Sequence, residues 1–233
     1  MPRQRMSLET ARLRLVWVAA SIWVVVIAGS FAWNWQRVDD TLMALARSEA
    51  LSSYQKDLVY RRWAASHGGV YVPPSDTTPP NPYLAFLPDR DVTTTSGKAL
   101  TLVNPAYMTR QVHEMGREQY GLRGHITSLN PIRPENAADA WETEALESFQ
   151  RGVPEAVAVT TLDGEPYLRF MRPMITEAGC LKCHAAQGYQ VGDIRGGISV
   201  AVPLASHYAA AADQRSLLGL AHAVIGALGL LGL

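Results

Sequence analysis

Cysteine is almost absent: the 233 residues hold two, Cys180 and Cys183. A lone pair of thiols cannot build a disulfide framework, and without a second pair there is no four-ligand zinc cluster of the usual spacing. An excess of charge is missing as well. Lys and Arg number 21 against 21 Asp and Glu, so nothing in the balance suggests a nucleic-acid partner. Internal repeats and low-complexity tracts are lacking too. Charge is missing from residues 15–35, and Gly and Pro are missing from residues 38–65. These last two gaps point to helices.

Residues 1–14 carry Arg3, Arg5, Arg12 and Arg14 against one acid, Glu9. As a helix, the uncharged run 15–35 spans about 30 Å, the hydrocarbon thickness of a bilayer. Trp33 and Trp35 suit an interfacial aromatic belt, and the basic flank predicts a cytoplasmic tail over 1–14 with an exported chain beyond residue 35. A cleaved signal peptide would have a shorter apolar core ending in a small-x-small site. Ala28-Gly29-Ser30 is followed by more apolar residues, so a retained transmembrane anchor is preferred. Residues 217–233 read as the start of a second transmembrane helix, truncated at Leu233. There Gly219, Ala223 and Ala227 form a small-residue face for close helix packing. His222 is read as a neutral histidine near the interface or facing a partner helix.

The exported stretch 36–216 opens on a helix whose apolar stripe is Val38, Leu42, Leu45, Leu51, Tyr54, Leu58 and Trp63. It continues the membrane helix as a stalk and stops at His67-Gly68-Gly69. A short strand at 70–72, a proline-rich loop at 77–88 and a brief strand at 100–103 follow. Asn104 as cap and Pro105 at the first helical position predict a helix over 105–120. A strand over 125–129 precedes a helix over 136–150 with Trp141, Ala145, Leu146 and Phe149 inward. Strands over 156–161 and 167–175 flank Asp163-Gly164, a hairpin signal. A last strand covers 196–202 and a helix 204–216. The order predicts an α+β fold: a PAS-like antiparallel sheet with a long N-terminal stalk helix, flanked by transmembrane helices.

Both cysteines fall in Cys180-Leu181-Lys182-Cys183-His184. Two thiols at this spacing can each add across a haem vinyl group while the adjacent histidine reaches the iron, so the run reads as the attachment site of one covalent haem c. A redox dithiol would want a strand-then-helix context, which Glu177-Ala178-Gly179 before the run and Ala185-Ala186-Gln187-Gly188 after it do not provide. Attachment of this kind belongs on the outer side of the bacterial inner membrane, in agreement with the anchor. His184 is then one axial ligand. For the distal position His67 is the first candidate, with Gly68 and Gly69 allowing backbone close to a flat macrocycle. A histidine at a helix C-terminus also interacts favourably with the dipole without any iron, and the residues do not choose between the two. His125 is the second candidate, with a hydrogen-bonded or surface histidine the preferred reading; Met171 and Met174 could serve as thioether ligands, but methionine on such a strand is more often core; His113 and His207 are read as solvent-facing. Arg172 and Arg169, close to the motif, are candidate propionate contacts; solvated arginine on a polar strand face is the plainer account.

The runs WAASHGGVYV (63–72), NPAYMTR (104–110), HITSLNP (125–131), PEN (134–136), WE (141–142), CLKCH (180–184) and GDIRGGIS (192–199) together resemble a known family. It is a PAS-like c-type haem domain, long catalogued as a domain of unknown function. It is found at the exported end of bacterial membrane histidine kinases and as small cytochromes. The resemblance covers roughly residues 38–210. It implies haem on Cys180 and Cys183 with His184 axial. Some members are thought to use a cysteine of the N-terminal helical region on the other side of the iron; this chain has no such cysteine. The expected function is a periplasmic haem-based redox or small-ligand sensor module of a transmembrane signalling protein. The alternative is a membrane-anchored monohaem electron-transfer cytochrome. Expected partners are the membrane, a second copy through stalk and transmembrane helices, and a small gas or redox partner. No acid–base constellation marks an enzyme, and an output domain such as a histidine kinase belongs beyond residue 233 on the sensor reading.

Overall fold

The computed structural model describes residues 2–233, with side chains from residue 8 onward; Arg3 and Arg5 of the basic tail lie outside the described side chains. The chain divides into two units, residues 1–45 with 205–233, and residues 46–204.

The first unit contains the N-terminal part of helix α1 (Pro2–Ser66) and helix α5 (Ala205–Leu231). Both helices are long and apolar enough to cross a membrane. They meet through Trp23, whose indole N–H donates to Gly226 O at 3.1 Å, and through Ser30, whose Oγ lies 3.1 Å from His222 Nε2. His222 thus faces a neighbouring helix, edge-on to Phe31. The small residues at this contact are Gly226 and Gly229, where any Cβ would approach Ile27 or collide with the Trp23 ring. Gly219 borders open space, and Ala223 and Ala227 are exposed. The small-residue face expected from spacing therefore points away from α1, because the bulk of the indole, and not the four-residue spacing, decides where glycine is needed.

The second unit is α+β, built on two antiparallel sheets. Strands β1 (Val70–Val72), β2 (Asp91–Thr93) and β3 (Ala99–Val103) form a three-stranded sheet in the order β1-β3-β2. The larger sheet comprises β4 (Arg123–Thr127), β5 (Ala156–Leu162), β6 (Glu165–Ile175) and β7 (Ile194–Pro203), in the order β4-β7-β6-β5. This is the expected antiparallel sheet. The three-stranded sheet is an addition; β2 has no signal of its own, and the smaller sheet depends on β3 pairing on both edges.

Local chemistry accounts for several boundaries. Helix α2 (Pro105–Tyr120) starts where Asn104 accepts the Tyr107 N–H and stops at left-handed Gly121. The β5–β6 hairpin turns on Asp163 and Gly164, with φ of 52° and 85°, the two positive values that a type I′ turn requires. Helix α3 (Ala140–Gln150) begins four residues later than expected from sequence. Asp139 is its cap in a reciprocal box with Glu142, while 134–136 closes a separate 3-10 turn on Pro134.

The larger sheet is covered on both faces, so the central strand β7 is buried almost throughout. On one face Tyr54 of α1 meets Phe170, ring centroids 5.9 Å apart. On the other, Ala145, Leu146 and Phe149 of α3 pack on Met171. The face of α1 that packs is Tyr54, Asp57, Arg61 and Ala64, whereas Leu45 and Trp63 of the expected stripe are exposed. A 3.6 period identifies a face, but here the packing side carries alanine and paired polar groups. Asp57 receives His113 of α2 at 2.7 Å, so the His113 side chain is largely covered, 11% exposed, and not solvent-facing. A Cβ on Gly124 would collide with that ring.

Beneath the start of α3, Glu142 is 1% exposed and serves three groups. Its carboxylate caps Asp139 N–H, meets His125 Nδ1 at 2.9 Å and pairs with Arg169 at 3.1 Å. Burial works to lower the His125 pKa, but the hydrogen bond and charge of Glu142 outweigh it and leave it raised. Glu142→Ala removes the partner of His125 and one of the two carboxylates that hold Arg169, leaving Asp139 as the other, and should cost about 1–3 kcal/mol in denaturant unfolding. The His125 contribution is full below its unfolded value of about 6.5 and is lost as pH rises through the higher folded value. Wild-type stability should therefore fall as pH rises above about 6.5, and His125→Gln should flatten that fall.

Candidate functional site

The Cys-x-x-Cys-His run lies in the connection between β6 and β7. Backbone hydrogen bonds close its ends: Thr176 N–H donates to Asp193 O at 2.8 Å, and Gly192 N–H donates to Thr176 O at 2.9 Å. Within the closed loop, a 3-10 turn over Ala178–Cys180 leads into the single helical turn α4 (Leu181–His184). A further 3-10 turn ends at left-handed Gly188. A register shift between Met174 and Ile175 marks the exit of β6 into this loop. Such irregularities re-aim a strand end.

Both thiols and the imidazole open onto one cavity, a partly open space of about 1220 Å³. Tyr54, Leu58 and Arg61 of α1 form one wall, and Leu102, Met174 and Arg195 line it from the strands. An adjoining space of about 780 Å³ shares Met174, Cys183, His184 and Arg195 but excludes Cys180. A group bonded to both sulfurs belongs in the larger space. Among the described residues, no three His, Cys, Asp or Glu side chains converge to hold a metal ion by themselves. Two thiols and an imidazole that border one cavity without converging on a point are unsuited to zinc. They suit a macrocycle, to which the sulfurs bond at the periphery while the imidazole reaches the centre.

The tautomer of His184 follows from its partners. Arg195 Nη1 can only donate, and it lies 3.4 Å from His184 Nε2; the opposite nitrogen, Nδ1, is 2.6 Å from Gln187 Oε1. Gln187 is itself oriented by donating to Asn130 O at 2.9 Å. Nδ1 thus carries the proton and Nε2 keeps the lone pair, the arrangement in which an outer carbonyl orients a metal-ligating histidine. Burial first, and the charges of Arg195 and Arg61, hold His184 below the ordinary histidine range against the opposing Gln187 bond. It is neutral at pH 7, the ligating form.

Other residues singled out in the sequence lie elsewhere. His67 is exposed at the end of α1, stacked on Trp63 with centroids 4.5 Å apart and its Nδ1 donating to Trp63 O at 2.7 Å. It is not on the cavity wall; Gly68 is. Arg172 is held by Glu155 at 2.7 Å, and Arg169 by Asp139 and Glu142; neither lines the cavity. Met171 is core, as expected, and Met174 is buried yet borders the cavity. Conversely, Tyr54, Arg61, Gln187 and Arg195 reach the site without having been marked. Arg195 stands within the GDIRGGIS run, which was the signal available for it. Gln187 had only its place three residues after His184.

The molecule is thus an α+β domain joined to apolar helices, with a Cys-x-x-Cys-His run on the wall of a cavity. A family model described as Tll0287-like matches residues 39–203, and the chain belongs to the Tll0287-like family. The match covers nearly the same residues as the resemblance read from sequence. Among solved structures, that of the cyanobacterial haem protein Tll0287 is similar, at 19% identity and TM-score 0.42, covering 67% of this chain and 93% of that one. No curated protein matches.

Burial raises the Cys183 thiol pKa despite the nearby charges of Lys182 and Arg195. In chain purified without a bound group, alkylation of Cys183 should therefore show a pH midpoint above the ordinary thiol value of about 8.5. Peptide mass spectrometry across a pH series measures it.

Proposed function

We propose that this chain is the haem c-binding sensor module of a transmembrane signalling protein, anchored in a bacterial inner membrane with its main domain in the periplasm. The observation that carries the reading is the opening of Cys180, Cys183 and the Nε2 face of His184 onto one cavity. Membership of a family whose namesake is described as a haem protein supports it. When bound, the haem would supply a one-electron iron couple and a ligand position open to exchange.

The chain's own residues divide the work. Cys180 and Cys183 would hold the group covalently, and His184, oriented by Gln187, would present its lone pair to the iron. Leu58, Leu102 and Met174 would exclude water from its faces. His184 is the one histidine on the cavity wall among the described residues, which leaves the sixth position to the Met174 thioether or to a small exogenous ligand. An exchangeable position is what a small-ligand sensor needs, whereas a Met174 thioether there would suit an electron-transfer cytochrome equally well. A change in charge or ligation at the iron would act on α1 through Tyr54 and Arg61, which share the cavity wall and the packing face. A second copy, paired through stalk and apolar helices, and an output domain beyond residue 233 complete the reading.

The test is expression with a c-type haem maturation system. Wild-type chain should gain the mass of one haem, and Cys180→Ala with Cys183→Ala should lose all pigment resistant to acid–acetone extraction. Retained covalent pigment would refute the attachment. Reduced wild type should shift its Soret band on adding carbon monoxide. A spectrum unmoved by carbon monoxide, in Met174→Ala as in wild type, would contradict the sensor reading.

A further inference from the structure

Two cations line the cavity without a carboxylate in direct ion pair, Arg61 buried and Arg195 half-buried. Arg61 is 8% exposed, and its Nη1 donates only to neutral oxygens, Pro105 O and Thr109 Oγ1, each at 3.3 Å. Asp57, one turn earlier on α1, is engaged by His113 at 2.7 Å. Arg195 faces the same space, its Nη1 against His184 Nε2 and its Nε buried without a partner. Glu177, at the edge of the cavity, pairs with Arg62 at 3.5 Å. Among the described residues, no carboxylate forms an ion pair with either Arg61 or Arg195.

Burying one charge without a direct partner is costly, and a second of like sign, half-buried in the same cavity, adds to that cost. Burial first, then the charge of Arg195, push the Arg61 guanidinium down to about 10, which leaves it charged at neutral pH. The site is therefore short of negative charge. Arginine's planar fork matches a carboxylate with two parallel N–H bonds, so a carboxylate is the anion these groups suit.

We propose that Arg61 and Arg195 bind the two propionate carboxylates of the haem, an assignment that rests on the haem reading above. The two positive charges match the two negative ones. Arg195 has an additional part. Its Nη1 occupies the lone pair of His184 Nε2, and that lone pair cannot accept an N–H and bind iron at once. Ligation by His184 releases the Arg195 fork for a carboxylate, so the two steps favour each other. Arg172, the candidate nearest the motif on β6, is already neutralised by Glu155.

The full chain carrying haem, with Arg61→Gln, Arg195→Gln and both together, tests this, alongside the lysine variants and Arg172→Gln. Haem mass, reduction potential and the resonance-Raman propionate bending band are measured for each. The glutamine variants should lower the potential, because a cation near the iron disfavours the more positive ferric state, and should move the band. The lysine variants should restore most of the potential while the band stays displaced. Arg172→Gln should leave the band in place. A double glutamine variant with wild-type potential and band overturns the propionate assignment and leaves the haem reading intact. A wild-type chain without covalent haem overturns both. Should the glutamine variants not fold, an unmoved band in the charge-preserving Arg61→Lys/Arg195→Lys pair also overturns the assignment.

Discussion

A carboxylate on a packing face must find a partner, and Asp57 finds His113. That pair ties α1 to α2, and Arg61, one turn on, joins the same two helices through Pro105 O and Thr109 Oγ1. Helical spacing puts Tyr54 and Arg61 on the same side. Tyr54 packs on Phe170 and also borders the cavity; Arg61 is buried among α2 oxygens and also borders it. The same helix face therefore supplies both cohesion and chemistry. Gly124 is part of this arrangement, since only a residue without Cβ leaves room for the His113 ring.

The motif obeys a second constraint, imposed from the sheet. Its loop begins and ends on adjacent strands and is shut by the Thr176 and Gly192 hydrogen bonds. The thiols and imidazole are consequently carried by a short closed segment and not by a free loop. Gln187 extends this control to the imidazole itself, because its amide is held by the backbone of Asn130. Ring orientation and tautomer are set before anything occupies the cavity, which reduces what binding must organise.

Local signals were the legible ones. The Asn104-Pro105 start of α2, the Asp163-Gly164 turn, and the apolar helices each depend on a few neighbouring residues, and each stands where the sequence reading put it. What escaped depends on distant pairing. Strand β2 exists because β3 offers it an edge. His113 is turned inward because an aspartate 56 positions earlier meets it. Arg61 lies far from the motif in sequence yet shares its cavity, whereas Arg172 and Arg169 are close in sequence and are neutralised elsewhere. His67 shows the same limit from the other side: Gly68, which follows it, reaches the wall, and its own ring folds back on Trp63. The motif was readable as chemistry, but its surroundings were not.

Iron-edge anomalous scattering from crystals of the haem-loaded chain is the most direct measurement of the central assignment. A single iron peak should lie at bonding distance from His184 Nε2, inside the cavity walled by Tyr54, Leu58 and Arg61. An iron bound by His67 or His125 with His184 unligated, or a peak outside that cavity, would contradict it.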